Sequence, residues 1–259
     1  MLTAEIKRAS PPTRRWFLGL LFSSIFTLTY FLAPSYGLCA FFALVFRWPS
    51  LGAAIFLALP ILVSAIMPPK ASPWLLKLLS PILDYFEYEE IIESKPIDAR
   101  ENLRKGKNYI IAAQPHGVLS LCAICSAVNA EDEFRGTIPT GVASALLVTP
   151  ILKHVMGIFN LISASKSSLK KQLKRGGIEG TVVLYVGGIA ELFLSSEEEE
   201  VLYLKNRKGF IKLALQEGVD IIPTYLFGNT TVLSVIKTGL LANLSRKVRG
   251  FLRMFLILD

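Results

Sequence analysis

The sequence predicts an α/β fold preceded by a membrane-embedded helical hairpin. Charged residues are almost absent between residues 16 and 67 of the 259-residue chain, whereas the remainder alternates short apolar runs with amphipathic segments. The mean hydropathy of +0.49 is too high for an ordinary soluble domain. We therefore divide the chain into a basic N-terminus (residues 1–15), a membrane hairpin (residues 16–67) and an α/β domain (residues 72–259) that is large enough to bury a core.

The predicted hairpin rests on two uncharged runs. Residues 16–32 and 50–67 contain seventeen and eighteen uncharged residues, and each run is near the minimum length for crossing a bilayer. We expect the chain to turn around residues 34–49 and to leave the membrane near Met67, so that both ends lie on the same side. Three crossings are the alternative, but the lone Arg47 between the runs does little to support a third.

The net charge of +8 indicates an anionic membrane surface rather than nucleic acid as a partner. The lysines and arginines lack interleaved aromatic residues, and no nucleic-acid-binding motif accompanies them. Basic residues just before the first apolar run favour the cytosolic side and attract acidic lipid headgroups. The three cysteines form no disulfide framework, and Cys122-Ala-Ile-Cys125 lacks a second pair of zinc ligands. We therefore expect core cysteines, a reducing compartment and no metal.

The α/β domain is predicted from an alternation of strands and helices. The predicted strands are residues 109–113, 137–142, 157–162, 181–186, 201–204 and 220–227. The predicted helices are residues 74–86, 120–129, 144–153, 167–175 and 209–217. In open α/β folds, ligands usually bind at the carboxyl ends of the strands, so the segments that follow the strands are the places to look for chemistry.

The segment Gln114-Pro115-His116-Gly117 follows the first predicted strand of the domain and precedes a helix. This position places an imidazole at the carboxyl end of the sheet. Histidine suits proton removal from an alcohol because its ordinary pKa lies near neutrality. Main-chain N–H groups at the helix start can hold a developing oxyanion. Taken alone, the segment is equally compatible with a structural histidine on a turn.

Two glycines and an acid follow another predicted strand in Gly187-Gly188-Ile-Ala-Glu191. Glycine lets a ligand or a chain segment approach closely, and Glu191 can orient His116 or hold a polar group of a substrate. A surface acid after a tight turn is the equally plausible alternative when this segment is taken alone.

The basic block Asn206-Arg207-Lys208-Gly209-Phe210 stands at the start of the last predicted helix. Basic side chains and exposed N–H groups at such a position favour anions, including the phosphates of a nucleotide-containing cofactor. A solvated basic helix end is the usual explanation of such a run when it is taken alone.

In their order along the chain, the blocks QPHG, VGGxxE, NRKGF and VDIIPTYLFGN resemble the diacylglycerol acyltransferase type 2 family. That family includes monoacylglycerol and wax-ester-forming enzymes. The resemblance implies a glycerolipid-acyltransferase-like mixed α/β domain that transfers an acyl group from acyl-CoA to a lipid hydroxyl, usually that of diacylglycerol. It also implies that the protein lies in the endoplasmic reticulum membrane, with the domain facing the cytosol, and on lipid droplets. Acyl-CoA is implied as co-substrate, without a bound cofactor.

The resemblance also assigns roles to individual residues. His116 matches the catalytic histidine, expected to act as general base on the acceptor hydroxyl, and Glu191 matches the acid after the glycine pair. Substrate-binding roles are implied for Pro115, Gly117, Gly187, Gly188, Arg207, Lys208, Gly209 and Asn229. Neutral-lipid contact is implied for Phe17, Leu18 and Leu20, which match an FLxL pattern.

Three departures from the family pattern leave alternatives open. Gln114 stands where many relatives have a second histidine, Asn229-Thr230 replaces an acidic block, and the chain ends at Asp259 where relatives continue, which predicts C-terminal truncation. One alternative keeps the chemistry with monoacylglycerol or a long-chain alcohol as acceptor. The other is a non-catalytic hairpin protein of membranes or lipid droplets. The sequence specifies neither the acyl-chain preference nor the oligomeric state.

Overall fold

The computed structural model of the chain consists of an apolar helical hairpin followed by an α/β region. The structure describes residues 14–91, 101–188, 191 and 201–231.

The hairpin consists of α1 (Arg14–Phe46) and α2 (Leu51–Ile66). At 1.5 Å per residue, α1 is about 50 Å long and α2 about 24 Å long. The expected turn over residues 34–49 is wrong in extent, because α1 continues through Pro34 and the turn lies at residues 47–50. Apolar helices tolerate proline where Ser or Thr side chains satisfy main-chain groups. In α1 the Ser35 hydroxyl, next to Pro34, donates to the Phe31 carbonyl.

Small residues fill the contact between the two hairpin helices. The Tyr36 hydroxyl donates to the Leu57 carbonyl at 2.6 Å, which places the middles of the two helices side by side. The buried residues in these parts of the helices are Ala33, Ala40, Ala43, Ala54 and Ala58. Alanine lets helix backbones approach closely. Among the described helices, α1 alone combines the length and the apolar composition of a membrane-crossing helix, and α2 is a shorter apolar helix.

The first half of α1 packs against two short helices, α3 (Pro73–Leu78) and α4 (Pro81–Tyr85). Gly19 is essential to this contact, because a Cβ there would collide with the Pro81 carbonyl oxygen. The single helix expected over residues 74–86 is wrong. Pro81 breaks it, since proline has no N–H to donate and its ring clashes with the preceding turn.

Within the described residues, five parallel strands form the sheet of the α/β region. They are β1 (Tyr109–Gln114), β2 (Thr140–Val142), β3 (Leu161–Ser163), β4 (Val182–Tyr185) and β5 (Asp220–Tyr225). Their order is β3-β2-β4-β1-β5, and all neighbouring strands in that order are parallel. Pro223 is tolerated in β5 because this strand lies at the edge of the described sheet.

Helices connect the strands and cover both faces of the sheet. They are α5 (Leu121–Asn129), α6 (Ser144–Val148), α7 (Leu152–Gly157), α8 (Lys166–Leu173), α9 (Gly177–Gly180) and α10 (Gly209–Glu217). On one face, α8 and α10 bury Leu169, Leu173 and Leu213 against the central strands. On the other face, α5 shares a core with α1, α3 and α4. The mixed α/β region with a parallel sheet therefore agrees with the predicted fold class.

Four predicted elements of the α/β region differ from the structure. The strand expected over residues 137–142 is formed only in its second half, in β2. The helix expected over residues 144–153 is split into α6 and α7, because Pro150 ends the first of them and holds Thr149 extended. The strand expected over residues 157–162 is formed only at its end, in β3. Residues 201–204 form no strand, because the Tyr203 N–H donates to the carboxylate of Glu191 instead of to a neighbouring strand.

The C-terminal end of α2 is tied to α7 by three polar contacts. The Ser64 hydroxyl accepts from the Ile151 N–H at 2.6 Å, the Lys153 ammonium donates to the Ala65 carbonyl at 3.0 Å, and His154 Nε2 lies 3.0 Å from the Ser64 carbonyl oxygen. The last carbonyls of a helix lack partners within it, so these contacts satisfy them. They place the end of the hairpin against the α/β region, and they give His154 a structural role.

Candidate active site at the carboxyl edge of the sheet

Three neighbouring strands deliver the candidate residues to one edge of the sheet. β1 lies between β4 and β5, with Ala113 opposite Tyr185 and Gln114 opposite Tyr225. Because the strands are parallel, the segments that follow them emerge at the same edge. The Pro115–His116 turn, the glycine pair and the segment that contains Asn229 therefore meet there.

His116 has one nitrogen engaged and one available. Its Nδ1 lies 2.7 Å from the Gly117 carbonyl oxygen. A carbonyl oxygen only accepts, so this contact assigns the proton of the neutral ring to Nδ1 and leaves the lone pair on Nε2. Nε2 makes no hydrogen bond to the part of the chain that the structure describes. The ring lies edge-on to Tyr185, with 5.5 Å between the ring centroids. In this tautomer, Nε2 is the ring atom that could accept a proton.

Glu191 is buried and holds the main chain of His116. Its side chain is only 1% exposed, and it accepts from the His116 N–H at 2.8 Å and from the Tyr203 N–H at 3.1 Å. The carboxylate therefore positions His116 through the backbone, without a contact to the imidazole. A Cβ on Gly187 would coincide with this carboxyl group, which explains why a glycine precedes the acid at this spacing.

Asn229 also holds the Pro115–His116 turn, through its side-chain amide. Its amide donates to the Pro115 carbonyl at 2.9 Å and to the His116 carbonyl at 2.8 Å, and its Oδ1 accepts from the Cys122 N–H at 3.3 Å. A carboxylate could not donate to two carbonyls, so this position requires the amide that the chain has. Gly117 has a φ of +63°, and a Cβ there would collide with the main chain of Asn229.

The basic block lies next to the glycine pair. The Arg207 guanidinium stacks over the Tyr203 ring at 5.1 Å and donates to the Gly187 carbonyl at 3.3 Å. Lys208 is exposed and directly precedes α10, which begins at Gly209, and its side chain makes no capping hydrogen bond. The structure thus brings Arg207 to the glycine turn and leaves the Lys208 side chain facing solvent.

An apolar cavity, here called the His116 cavity, adjoins the histidine. It opens to solvent and extends between α1 and the sheet. Residues of α1 form one wall, namely Phe26, Thr27 and Tyr30. The residues around the reacting end are His116, Val118, Leu119, Ser120 and Tyr185.

Sequence reasoning did not predict several of the residues at the site. Tyr185 ends β4 directly before the glycine motif, and that position is the signal that could have drawn notice to it. Ser120 donates to the His116 carbonyl at 2.7 Å. The wall formed by α1 has no signal in the sequence. Conversely, Phe17, Leu18 and Leu20 are exposed on α1 and lie outside the residues that line the cavity.

Burial changes the acid–base properties of the groups near the histidine. It raises the pKa of Tyr185, so the phenol keeps its proton at neutral pH. Burial also raises the pKa of Cys122, and it raises that of Cys125 to about 12. Neither cysteine is therefore an activated thiolate. In the described residues, no group of three His, Cys, Asp or Glu side chains could hold a metal ion.

The parallel sheet, the histidine turn at its carboxyl edge and the adjoining apolar cavity define an α/β protein with a candidate site for an apolar substrate. The family model for diacylglycerol acyltransferase matches residues 82–258. The chain belongs to the diacylglycerol acyltransferase family, and the resemblance noted in the sequence is confirmed.

Curated relatives include enzymes named for three different acceptors. Diacylglycerol O-acyltransferase 2 of Mus musculus is 32% identical over 136 residues, which cover 51% of this chain and 35% of the relative. Acyl-CoA wax alcohol acyltransferase 1 of Mus musculus is 33% identical over 157 residues, which cover 58% of this chain and 45% of the relative. 2-Acylglycerol O-acyltransferase 3 of Homo sapiens is 31% identical over 140 residues, which cover 51% of this chain and 41% of the relative. The chain thus matches less than half the length of each. No solved structure matches.

Proposed function

We propose that this chain is an acyl-CoA-dependent O-acyltransferase that forms triacylglycerol from diacylglycerol. The observation that carries the proposal is His116, which lines an apolar cavity and whose Nε2 makes no hydrogen bond to the described residues. Membership of the diacylglycerol acyltransferase family supports it, and so do relatives whose names all describe acyl transfer. Acyl-CoA is the co-substrate, and no bound cofactor takes part.

In the proposed reaction, His116 Nε2 removes the proton of the acceptor hydroxyl as its oxygen attacks the thioester carbonyl of acyl-CoA. The tetrahedral intermediate carries an oxyanion, which main-chain N–H groups of residues 117–120 stabilise. When the intermediate collapses, the carbon–sulfur bond breaks and the thiolate of CoA takes the proton from His116. Such general-base assistance is worth about 10²–10⁴-fold in rate.

The residues around the turn have positioning roles in this proposal. Glu191 and Asn229 hold the main chain of His116 from opposite sides, so they fix where Nε2 stands. Pro115 and Gly117 shape the turn itself. Tyr185 lines the same cavity, and its ring lies at a steep angle to that of His116.

The basic block is proposed to bind the phosphates of CoA. Arg207 and Lys208 stand at the N-terminus of α10, where side-chain charge and main-chain N–H groups both favour anions. The Arg207 contact to the Gly187 carbonyl joins this phosphate site to the glycine turn, and Gly188 and Gly209 allow the ligand to come close to the backbone.

A covalent route through cysteine is disfavoured by the raised thiol pKa values. Cys122→Ala and Cys125→Ala are therefore expected to retain activity within about threefold, because the thiols stay protonated at neutral pH and do not act as nucleophiles. The measurement is acyl transfer by each variant, together with the inhibition of wild-type protein by N-ethylmaleimide. An acyl-enzyme that forms on wild-type protein and disappears in Cys122→Ala would refute the direct route.

The hairpin is proposed to embed in the membrane of the endoplasmic reticulum with the α/β region in the cytosol, and to allow residence on lipid droplets. Large apolar side chains on both helices are exposed, such as Phe42 at 53% and Phe56 at 75%. An exposed apolar surface of this extent requires a lipid or protein partner. Arg14 and Arg15 at the start of α1 favour the cytosolic face, and Trp48 at the turn suits the opposite interface.

The experiment that tests the proposal is transfer of labelled acyl groups from acyl-CoA by membranes that contain this chain. Diacylglycerol, monoacylglycerol and a long-chain alcohol are supplied in separate reactions. Label in triacylglycerol supports the proposal as stated. Label only in diacylglycerol identifies monoacylglycerol as the acceptor. Label only in wax ester identifies a long-chain alcohol as the acceptor. If no product forms although the protein is present in the membrane, the chain is a non-catalytic membrane protein and the proposal fails.

A further inference from the structure

Phe26 of α1 separates two apolar cavities. On one side lies the His116 cavity. On the other lies an open apolar groove between α1 and α3, here called the α1–α3 groove, which is lined by Phe22, Ile25, Phe26, Leu75, Leu78, Leu79 and Ile158. Phe26 is the one described residue that lines both, and it is here called the partition between them.

The partition is a well-packed part of the core. Phe26 is only 7% exposed, and its ring packs against that of Phe159 with 5.6 Å between the centroids. Phe159 also lines the His116 cavity, and its neighbour Ile158 lines the groove. Side chains packed in this way keep their positions, so the ring of Phe26 is a fixed end wall.

The chemistry of the two cavities indicates a hydrocarbon chain as the ligand. The groove has only apolar side chains in its lining. The lining of the His116 cavity is mostly apolar, and includes Phe26, Phe159 and Met156. Its polar side chains are Thr27, Tyr30, His116, Ser120, Thr140 and Tyr185. A lipid that reacts at His116 can therefore place its tail against the apolar wall, where no polar group is left without a partner.

We propose that Phe26 ends the tail-binding part of the His116 cavity and thereby sets the length of the hydrocarbon chain that the protein prefers. The inference rests on the proposed function, because it takes the tail to belong to a lipid that reacts at His116. A tail longer than the cavity meets the ring of Phe26. Removal of that ring would join the cavity to the α1–α3 groove, so that a longer tail can continue into the groove.

Four variants test the proposal: Phe26→Ala and Phe26→Leu open the partition, Phe26→Trp extends it, and Phe22→Ala is the control because Phe22 lines the groove alone. The measurement is kcat/KM across a series of saturated acyl-CoA lengths with one acceptor, and across a series of acceptor tail lengths with one acyl-CoA. The series that responds identifies whether the donor or the acceptor tail lies against Phe26.

The expected result is a change in the ratio of kcat/KM for long over medium chains by about tenfold or more, since a single methylene in an apolar pocket is worth roughly 10–200-fold. The ratio rises in Phe26→Ala and Phe26→Leu, falls in Phe26→Trp and stays unchanged in Phe22→Ala. Phe26→Leu keeps most of the buried volume, so it reports on length preference even where Phe26→Ala is poorly folded. An unchanged ratio in both series, with folded Phe26→Leu and Phe26→Trp proteins, overturns the proposal.

A binding measurement separates this inference from the proposed function. The thermal unfolding midpoint of the purified full chain is recorded with saturated fatty alcohols of increasing length, which requires no turnover. If the wild-type chain transfers no acyl group but the best-stabilising length increases in Phe26→Leu and decreases in Phe26→Trp, the length inference stands and the acyltransferase proposal fails. If the best length is the same in wild-type, Phe26→Leu and Phe26→Trp proteins, the length inference fails whatever the activity.

Discussion

Replacing His116 with alanine is expected to lower acyl transfer by about 10²–10⁴-fold while the protein remains folded and membrane-bound. The substitution removes the imidazole that is proposed to take the proton of the acceptor alcohol. It leaves the supporting contacts in place, because Glu191 and Asn229 bind the main chain of this residue and not its ring. The measurement is the rate of labelled acyl transfer from acyl-CoA, normalised to the amount of protein in the membrane.

The second histidine of the chain offers a matched control. His154 bonds to the Ser64 carbonyl at the end of α2 and does not line the His116 cavity. His154→Gln keeps a hydrogen-bond donor at this place, so we expect nearly full activity. His116→Gln also keeps donors but provides no base, and it should be as inactive as His116→Ala. A His116→Ala protein with wild-type activity would refute the general-base mechanism.

The location of the site was predictable because it depends on local order along the chain. Each apolar run that became β1, β4 or β5 is followed at once by a polar or glycine segment, and parallel strands bring such segments to one edge. This reasoning correctly placed His116 and Gly187 after strands. It did not require knowledge of which strands are neighbours.

The contacts within the site were not predictable, because they join distant parts of the chain. Glu191 was expected to orient His116, but nothing in the spacing indicates that it would bind the main-chain N–H instead of the imidazole. The same carboxylate accepts from Tyr203, and this long-range bond is why the apolar run at residues 201–204 is not a strand. Local β propensity was overridden by a partner that the sequence does not reveal.

The hairpin shows a similar limit. Pro34 was taken as the beginning of the turn, since proline in a soluble helix removes a hydrogen bond and causes a clash. In α1 the helix continues, and the chain reverses only at residues 47–50. The position of Phe26 in the cavity wall depends on how α1 lies across the sheet. Such packing cannot be inferred from the pattern of an almost uniformly apolar segment.

Gly187→Ala is expected to reduce activity by about 10²-fold and to lower the free energy of unfolding by about 1–3 kcal/mol. The added methyl group would coincide with the carboxyl group of Glu191, which is buried and has no space to retreat into without losing its bonds. Either the carboxylate moves and releases the N–H groups of His116 and Tyr203, or the end of β4 shifts. Both responses displace His116 Nε2 from its position by the cavity. The measurements are the acyl-transfer rate and the thermal unfolding midpoint of the purified chain.

Gly52→Ala supplies the control for adding a methyl group, because a Cβ there meets no atom within 4 Å and the residue lies in α2, away from the site. It should leave activity unchanged and keep stability equal or slightly higher, since alanine is the better helix former. A second comparison identifies the cause of the loss in Gly187→Ala. If the loss arises through Glu191, then Glu191→Gln, which keeps an acceptor oxygen of nearly the same size, should retain more activity than Gly187→Ala. Full activity in Gly187→Ala would mean that the bond between Glu191 and the main chain of His116 does not position the base.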